Sequence, residues 1–182
     1  MPTPTPRPTP TPTPAGAAIF LGTDTATQGN WVGTYGSGGY VVAGDNIAPT
    51  AVNLPAGDAY INTGNGPFYY PSLTGSSPAL QRPNGTGRVA SAFYDPRGFN
   101  VTLGFSDTST HRVALYLADF DSQNRTEAVQ VFDSHGNALT SPVMVSSFSS
   151  GKYILFDVTG NVTFTFTHVA GGSTVLAGLF ID

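Results

Sequence analysis

The chain has 182 residues, of which 10% are charged, well below the roughly 25% of an average soluble protein. Its seven Lys and Arg residues are scattered and its formal net charge is −4, so it offers no basic surface for nucleic acid. Cysteine is absent, which excludes a disulfide framework, a thiolate metal site and a cysteine nucleophile. No run approaches the length of apolar sequence that crosses a membrane.

Residues 1–15 form a segment in which proline and threonine alternate almost throughout. Proline lacks an amide donor and fixes φ, so this segment favours an extended polyproline II conformation without a core. It predicts a spacer between two folded modules, and residues 16–182 have the length of one domain. A second domain is expected beyond the spacer in the parent protein.

Short strands are predicted along the whole of residues 16–182. Long loops separate the strands of the first half, which are expected at 17–21, 31–35, 39–43, 59–62 and 88–94. Turns rich in Gly, Asn and Asp separate those of the second half, at 98–105, 111–120, 126–133, 142–148, 152–158, 161–169 and 173–181. Apolar residues do not recur at helical spacing. The pattern predicts an all-β fold, a two-sheet antiparallel β-sandwich of jelly-roll type.

Alternating residues indicate which side chains of these strands face the core. Between 161 and 167, Val162, Phe164 and Phe166 alternate with polar residues and are expected on the core side. Tyr116 lies out of phase with the apolar residues of its strand, which indicates a central strand covered on both faces.

Side chains that could catalyse a reaction are few: three histidines, ten aspartates and Glu127 as the single glutamate. No nucleophile elbow, metalloprotease motif or phosphate-binding loop is present. The histidines fall in separate strands or turns, and their spacing does not form a zinc site. The sequence favours a protein that is not an enzyme, and a small catalytic lyase or hydrolase is the third-ranked interpretation.

The segment 22–40 is the first candidate binding region and holds the only tryptophan. Trp31, Tyr35 and Tyr40 are interleaved with hydroxyl and amide side chains on a glycine-rich backbone. Aromatic faces pack on the C–H surface of a pyranose, and polar groups bond its hydroxyls. In the other interpretation, Trp31 and Tyr40 anchor the first strands in the core, because tryptophan is usually largely buried.

Three adjacent aromatic residues between two prolines, Phe68, Tyr69 and Tyr70, form the second candidate. They are expected in a loop, and they cannot all face one core. At least one ring is therefore expected at the surface, where it can stack on a sugar. The alternative is packing of this loop against the edge of the sandwich.

The third candidate is the polar loop 119–125, with Asp119, Asp121 and Arg125. These groups can bond sugar hydroxyls, and the carboxylates can bind calcium. In the alternative interpretation, an ion pair between Asp121 and Arg125 fixes the turn. Calcium is a further possibility at Asp24 and Asp182, although no run matches an EF-hand loop.

Four stretches carry a resemblance to a known class of domain: GTDTATQGNWVGTYGSGGY at 22–40, VALYLADFD at 113–121, SSFSSG at 146–151 and VLAGLFID at 175–182. The body after the spacer resembles carbohydrate-binding-module-like accessory domains of secreted bacterial glycoside hydrolases and polysaccharide lyases. The resemblance implies a carbohydrate-binding β-sandwich, and it assigns no binding residue.

We therefore expect a galactose-binding-like jelly roll that acts as a secreted, non-catalytic carbohydrate-binding module. Its expected partners are a polysaccharide or oligosaccharide and a covalently linked catalytic domain. Neither nucleic acid nor a membrane is an expected partner, the module is expected to be a monomer, and no cofactor is expected beyond structural calcium. The alternative is a structural or cell-surface adhesion β-sandwich without a sugar site.

Overall fold

A computed structural model describes residues 16–44 and 49–182, so the predicted spacer at 1–15 lies outside the described residues. Strands account for nearly all of the regular structure in these two ranges, with a single short 3-10 helix at Pro71–Leu73. Within the same ranges there is no helix long and apolar enough to cross a membrane.

The described chain contains sixteen β-strands. In chain order they are β1 (Ala17–Asp24), β2 (Gly39–Val42), β3 (Ala51–Asn53), β4 (Ala59–Asn62), β5 (Asn65–Tyr69), β6 (Leu80–Gln81), β7 (Arg88–Val89), β8 (Ser91–Asp95), β9 (Gly98–Gly104), β10 (His111–Leu117), β11 (Thr126–Asp133), β12 (Val143–Ser146), β13 (Lys152–Thr159), β14 (Val162–Ala170), β15 (Thr174–Leu176) and β16 (Gly178–Ile181).

Two antiparallel sheets form the layers of a β-sandwich. One has six strands in the order β1-β13-β10-β16-β2-β3, and the other has five in the order β12-β11-β14-β9-β4. Phe156 on β13 and Phe164 on β14 meet between the layers with ring centroids 5.5 Å apart. The chain changes layer from β9 to β10, from β10 to β11, from β12 to β13 and from β13 to β14, as jelly-roll connections do. The predicted fold class is confirmed.

The core lies between the two layers and is lined by the residues that alternation assigns to it. Val162, Phe164 and Phe166 of β14 are almost completely buried, as predicted, and the threonines between them face the other way. Tyr116 is also fully buried, because β10 lies inside the six-stranded sheet between β13 and β16 and is covered on both faces. Its hydroxyl donates to the carbonyl oxygen of Pro78 at 2.8 Å.

One predicted strand is a turn, and two others each divide into strands of different sheets. Residues 31–35 form a turn, in which the carbonyl oxygen of Trp31 accepts the amides of both Thr34 and Tyr35 at 2.9 Å. Gly33, with φ of 82°, closes this turn. The predicted strand 173–181 is two strands in different sheets, because Ala177 turns the chain from β15, which pairs with β8, to β16, which pairs with β10 and β2.

The first half contains more strands than the sequence predicts. Of the aromatic segment expected in a loop, Phe68 and Tyr69 lie on β5, which pairs with β8 in a three-stranded sheet of order β15-β8-β5, and Tyr70 follows the strand. The predicted strand 88–94 is divided between β7 and β8, and β6 and β7 form a two-stranded sheet of their own. This pairing of β5 with β8 presents the aromatic residues described next.

Candidate functional site

An exposed aromatic ring marks the best candidate site. The side chain of Phe68 is 52% exposed, which confirms that at least one ring of its segment lies at the surface. It packs in T-shaped geometry against two neighbouring rings, with centroid distances of 4.9 Å to Tyr70 and 6.2 Å to Tyr94. The two edge-to-face contacts fix the orientation of a ring that water would otherwise surround.

The loop between β10 and β11 supplies charged groups around one guanidinium. Arg125 forms ion pairs with both Asp119 and Asp121 through its Nη1. Its Nε donates to the carbonyl oxygen of Ser173 at 3.1 Å, and Asp119 accepts the backbone amides of Gln123 at 3.1 Å and Arg125 at 3.2 Å. The predicted ion pair between Asp121 and Arg125 is therefore present, and it belongs to a network that fixes the whole loop.

The three charged residues differ in their access to solvent. The side chains of Asp119 and Arg125 are buried, whereas that of Asp121 is 37% exposed. A ligand at the surface can therefore touch Asp121 directly. The buried Arg125 pairs with the carboxylate of Asp121 from below, and Asp119 pairs with Arg125 in turn. The exposed side chains of Gln123 and Asn124 lie in the same loop.

Tyr70 joins the aromatic segment to this loop. Its ring lies 5.2 Å from that of Phe120, and its phenol is close enough to Asp121 and Arg125 for both charges to act on its pKa. Two segments that the sequence singles out separately thus form one continuous surface. We call Phe68, Tyr70, Tyr94, Asp121 and Arg125 the Phe68 surface.

Electrostatics decide what this surface offers at neutral pH. Burial opposes the ionisation of Asp121, but the hydrogen bond and charge of Arg125 outweigh it and hold the pKa of the carboxyl below its usual value. Burial and the charge of Asp121 raise the pKa of the Tyr70 phenol. Asp121 is therefore an anionic acceptor and Tyr70 is a neutral hydroxyl, beside an apolar ring.

Tyr69 does not share the Phe68 surface. Successive side chains of a strand point to opposite faces, so the half-buried Tyr69 faces away from Phe68 and Tyr70. One residue of the surface, Tyr94, is not among the predicted site residues, and neither is the buried Phe120 against which Tyr70 packs. Tyr94 reaches the site only through the pairing of β5 with β8, and no local sequence signal marks that pairing.

The aromatic residues of segment 22–40 pack on the outer face of the six-stranded sheet, the face opposite the core-facing Phe156. Trp31 is 4% exposed, with ring centroids 5.0 Å from Tyr40 and 4.7 Å from Phe180, and its Nε1 donates to the carbonyl oxygen of Gln81 at 2.7 Å. A Cβ at Gly29 would lie 1.9 Å from the carbonyl oxygen of Ala79. The position of Trp31 agrees with the core-anchor interpretation, because little of its ring is left for a ligand.

Tyr35 and Tyr40 are half-buried and line a cavity of about 460 Å³ on this outer face of the six-stranded sheet. The Tyr35 hydroxyl donates to Asp24 at 2.9 Å, and burial together with this bond raises the pKa of Tyr35 to about 12. Asp182, also in the cavity wall, accepts the amide of Ser37 at 2.8 Å and its hydroxyl at 2.9 Å. A sugar contact from Tyr35 or Tyr40 stays a prediction.

Asp24 and Asp182, the predicted calcium donors, each bond to protein groups. Besides Tyr35, Asp24 accepts the amides of Ala26 at 2.7 Å and Thr27 at 3.1 Å. Across residues 16–44 and 49–182, no three His, Asp or Glu side chains are grouped so that they could hold a metal ion. Calcium at these two aspartates stays a prediction.

Three titratable residues that the sequence raised as catalytic candidates, His111, His168 and Glu127, make contacts within the protein. His111 stacks on Phe105 with centroids 4.1 Å apart, and His168 is 3.1 Å from the carbonyl oxygen of Gly171. Glu127 on β11 is fully buried, and its Oε2 accepts the amide of Val175 at 2.9 Å. A carboxyl group in this position has no contact with solvent through which a substrate could reach it.

No protein-family model matches the chain, and no curated protein matches it. Its structure is similar to that of a family 35 carbohydrate-binding module from Clostridium thermocellum, at 13% identity and a TM-score of 0.40, over 69% of this chain and 98% of the module. A module of the same family from Paenibacillus barcinonensis gives 13% identity and a TM-score of 0.39, over 68% and 98%.

An exo-β-1,3-galactanase from Phanerochaete chrysosporium, solved with β-1,3-galactotriose, is 19% identical with a TM-score of 0.38. The similarity spans 73% of this chain but only 30% of the galactanase. Two of these three proteins are carbohydrate-binding modules, the class of domain that the sequence resembles. Identities this low and TM-scores of 0.40 or less carry no function to this chain, and the β-sandwich assignment rests on its own sheets.

Proposed function

We propose that this chain is a non-catalytic carbohydrate-binding module and that the Phe68 surface contacts the sugar. The observation that supports this most strongly is the exposed ring of Phe68 in contact with Tyr70, whose phenol in turn lies within reach of the charge of Asp121. A pyranose has an apolar C–H face and a rim of hydroxyls. The ring of Phe68 can cover the C–H face, while Asp121 and the Tyr70 phenol can bond the hydroxyls.

The preferred ligand in this proposal is a neutral glycan. The net charge of −4 disfavours an anionic polymer, and the guanidinium of Arg125 is already paired with Asp119 and Asp121. No uncompensated cation at the Phe68 surface would attract a uronate carboxyl group. Affinity for a short oligosaccharide is expected in the micromolar to millimolar range, as for a small exposed site.

In the parent protein, the module would hold a tethered catalytic domain near its polysaccharide. The Pro/Thr-rich residues 1–15 supply a spacer of the kind that raises the effective concentration of an enzyme at its substrate. In this proposal the protein is secreted and bacterial, the module is monomeric, and all catalysis belongs to the linked domain.

Affinity gel electrophoresis of the full chain tests the proposal. The panel contains the neutral polymers xylan, β-1,3-glucan, galactan and galactomannan and the anionic polymers polygalacturonate and alginate, and product release is assayed in the same mixtures. We expect retardation by at least one neutral polymer and no turnover. Turnover would indicate a catalytic sandwich, and migration unaffected by every polymer would favour an adhesion or spacer domain.

The matched variants are Phe68→Ala and Met144→Ala. Both side chains are large, apolar and exposed, at 52% and 59%, but Met144 lies on β12 at the edge of the five-stranded sheet, whereas Phe68 lies on β5 of the three-stranded sheet. Loss of retardation in Phe68→Ala alone would identify the Phe68 surface as the site. Equal retardation of Phe68→Ala and Met144→Ala would show that Phe68 is not part of the binding site.

A further inference from the structure

A second groove lies on the outer face of the five-stranded sheet, away from the core. A cavity of about 620 Å³ is open there, larger than the 460 Å³ cavity at Tyr35. Its floor and walls come from β4, β9, β14 and β11 and from the turn after β11. None of its lining residues belongs to the Phe68 surface.

The register of the sheet sets four side chains of this groove in one row. Ile61 pairs with Thr102, Thr102 with Thr163, and Thr163 with Phe132. Three strand spacings of about 4.8 Å make this row roughly 14 Å wide. The alternate residues of the same strands, such as Val101 and Phe164, are buried in the core, so the row faces solvent.

The two ends of the row are apolar where an outward sheet face is normally polar. Ile61 is 60% exposed, and Phe132 is half-buried on the outer side of the sheet and does not belong to the core. Exposed apolar side chains that face one cavity mark a binding surface more often than isolated ones do. A Phe ring and an Ile side chain can each cover a C–H face of a sugar.

The floor between these two walls consists of hydroxyl groups. Thr102 and Thr163 bond each other through their Oγ1 atoms at 2.9 Å. The pair carries two hydroxyl protons and this bond uses one, so one donor and several lone pairs are left for a ligand. Asn100 and Thr165 add an amide and a third hydroxyl to the same cavity.

The groove carries almost no free charge. Asp133 is the only charged residue that lines it, and this carboxylate accepts the amides of His135 and Asn137 at 2.8 Å and the Asn137 side chain at 2.9 Å. With its acceptors engaged in that turn and no cation nearby in the lining, the groove suits an uncharged ligand. The ligand must combine apolar faces with many hydroxyls.

We infer that this groove, with Ile61 and Phe132 as walls and Thr102 and Thr163 as floor, is a second binding site for a neutral glycan chain. The choice of glycan as the ligand rests on the proposed function, but the groove is separate from the Phe68 surface. Two sites on one module make binding to a long polysaccharide tighter than either site alone, because the second contact is intramolecular.

The test is affinity electrophoresis of the full chain on the four neutral polymers named above. It compares wild type, Phe68→Ala, the double variant Ile61→Ala/Phe132→Ala and the control Met144→Ala, whose exposed side chain lies on β12 of the same sheet but outside the cavity. We expect the double variant to lose about tenfold in affinity, both alone and in the Phe68→Ala background, while Met144→Ala binds as wild type does.

The outcomes separate the groove from the Phe68 surface. A double variant that binds like Met144→Ala in both backgrounds overturns the groove and leaves the Phe68 surface intact. If the double variant loses affinity while Phe68→Ala binds as tightly as wild type, the groove is supported and the Phe68 surface is overturned. A wild-type chain that no polymer retards overturns both.

Folding of the variants is checked by the fluorescence of Trp31, the single buried tryptophan. If the double variant is unfolded, Thr163→Val takes its place, because it removes one floor hydroxyl at nearly constant shape. In that case an affinity of Thr163→Val about threefold or more below that of wild type supports the groove, and an affinity equal to that of wild type overturns it.

Discussion

The buried carboxyl group of Glu127 leads to a prediction about stability and pH. Its Oε2 accepts the Val175 amide, and its Oε1 has no hydrogen-bond partner among the described residues. Burial raises the pKa of Glu127 to about 8, only partly opposed by the Val175 amide and the charge of Arg125, while Asp119 adds to the increase. The perturbation is Glu127→Gln, which keeps the shape and removes the titration.

The sign follows from proton binding in the two states. Between the unfolded value near 4.5 and the folded value near 8, the folded protein holds a proton on Glu127 that the unfolded chain has lost. Stability from this group is therefore fully present below pH 4.5 and is lost as the pH rises towards 8. The slope is about 1.4 kcal/mol per pH unit, which amounts to about 3 kcal/mol between pH 5 and pH 7.

Urea unfolding followed by Trp31 fluorescence measures this effect, because the buried indole becomes exposed on unfolding. The difference in unfolding free energy between wild type and Glu127→Gln is determined at pH 5, 6, 7 and 8, which cancels the other titrating groups. We expect the wild type to lose stability relative to the variant at each step. Parallel curves for the two proteins would refute the reasoning.

Three other substitutions have expected outcomes. Phe68→Ala removes a ring with roughly 100 Å² exposed, which at about 25 cal/mol per Å² corresponds to a loss of at most about 2.5 kcal/mol, or about seventyfold in affinity, measured by isothermal titration. Trp31→Ala should cost about 3–5 kcal/mol of stability by circular dichroism, and its sugar affinity when folded should stay that of wild type. Arg125→Ala leaves the buried Asp119 unpaired and should destabilise the fold by about 3–5 kcal/mol in urea, with partial recovery in Arg125→Lys.

The alternation of apolar and polar residues was sufficient to predict the layers of the sandwich. Phe164 and Phe166 face the core because a strand has a period of two, and this holds regardless of which strand is the neighbour. On β10, alternation places Tyr116 on the face opposite Val113 and Leu115, and the burial of all three residues shows that both faces of this strand are covered. These features depend only on residues that are close in the sequence, so a single sequence is enough to predict them.

The errors arose where the outcome depends on distant contacts. Residues 31–35 have the composition of a strand, but the carbonyl oxygen of Trp31 closes a turn and its ring is held by Phe180 and Gln81. The aromatic residues 68–70 were expected in a loop because their partner strand, β8, is more than twenty residues away in sequence. Composition does not specify such pairings.

The candidate site shows the same limit. Phe68, Asp121 and Arg125 were each identified from residue type, since an exposed aromatic ring and a polar loop are what a sugar requires. Their assembly into one surface depends on the contact between Tyr70 and Phe120, which joins segments about fifty residues apart. The burial of Asp119 and Arg125 likewise follows from packing around Ser173, and the sequence of the loop does not reveal it.

The central claim is tested most directly by nuclear magnetic resonance, with a short oligosaccharide from the most strongly retarding neutral polymer titrated into the full ¹⁵N-labelled chain. The account predicts backbone amide shifts at residues 66, 68–70, 94 and 119–125 that saturate with the ligand. Shifts confined to residues 22–40, with 66, 68–70 and 119–125 unchanged at saturation, would contradict it.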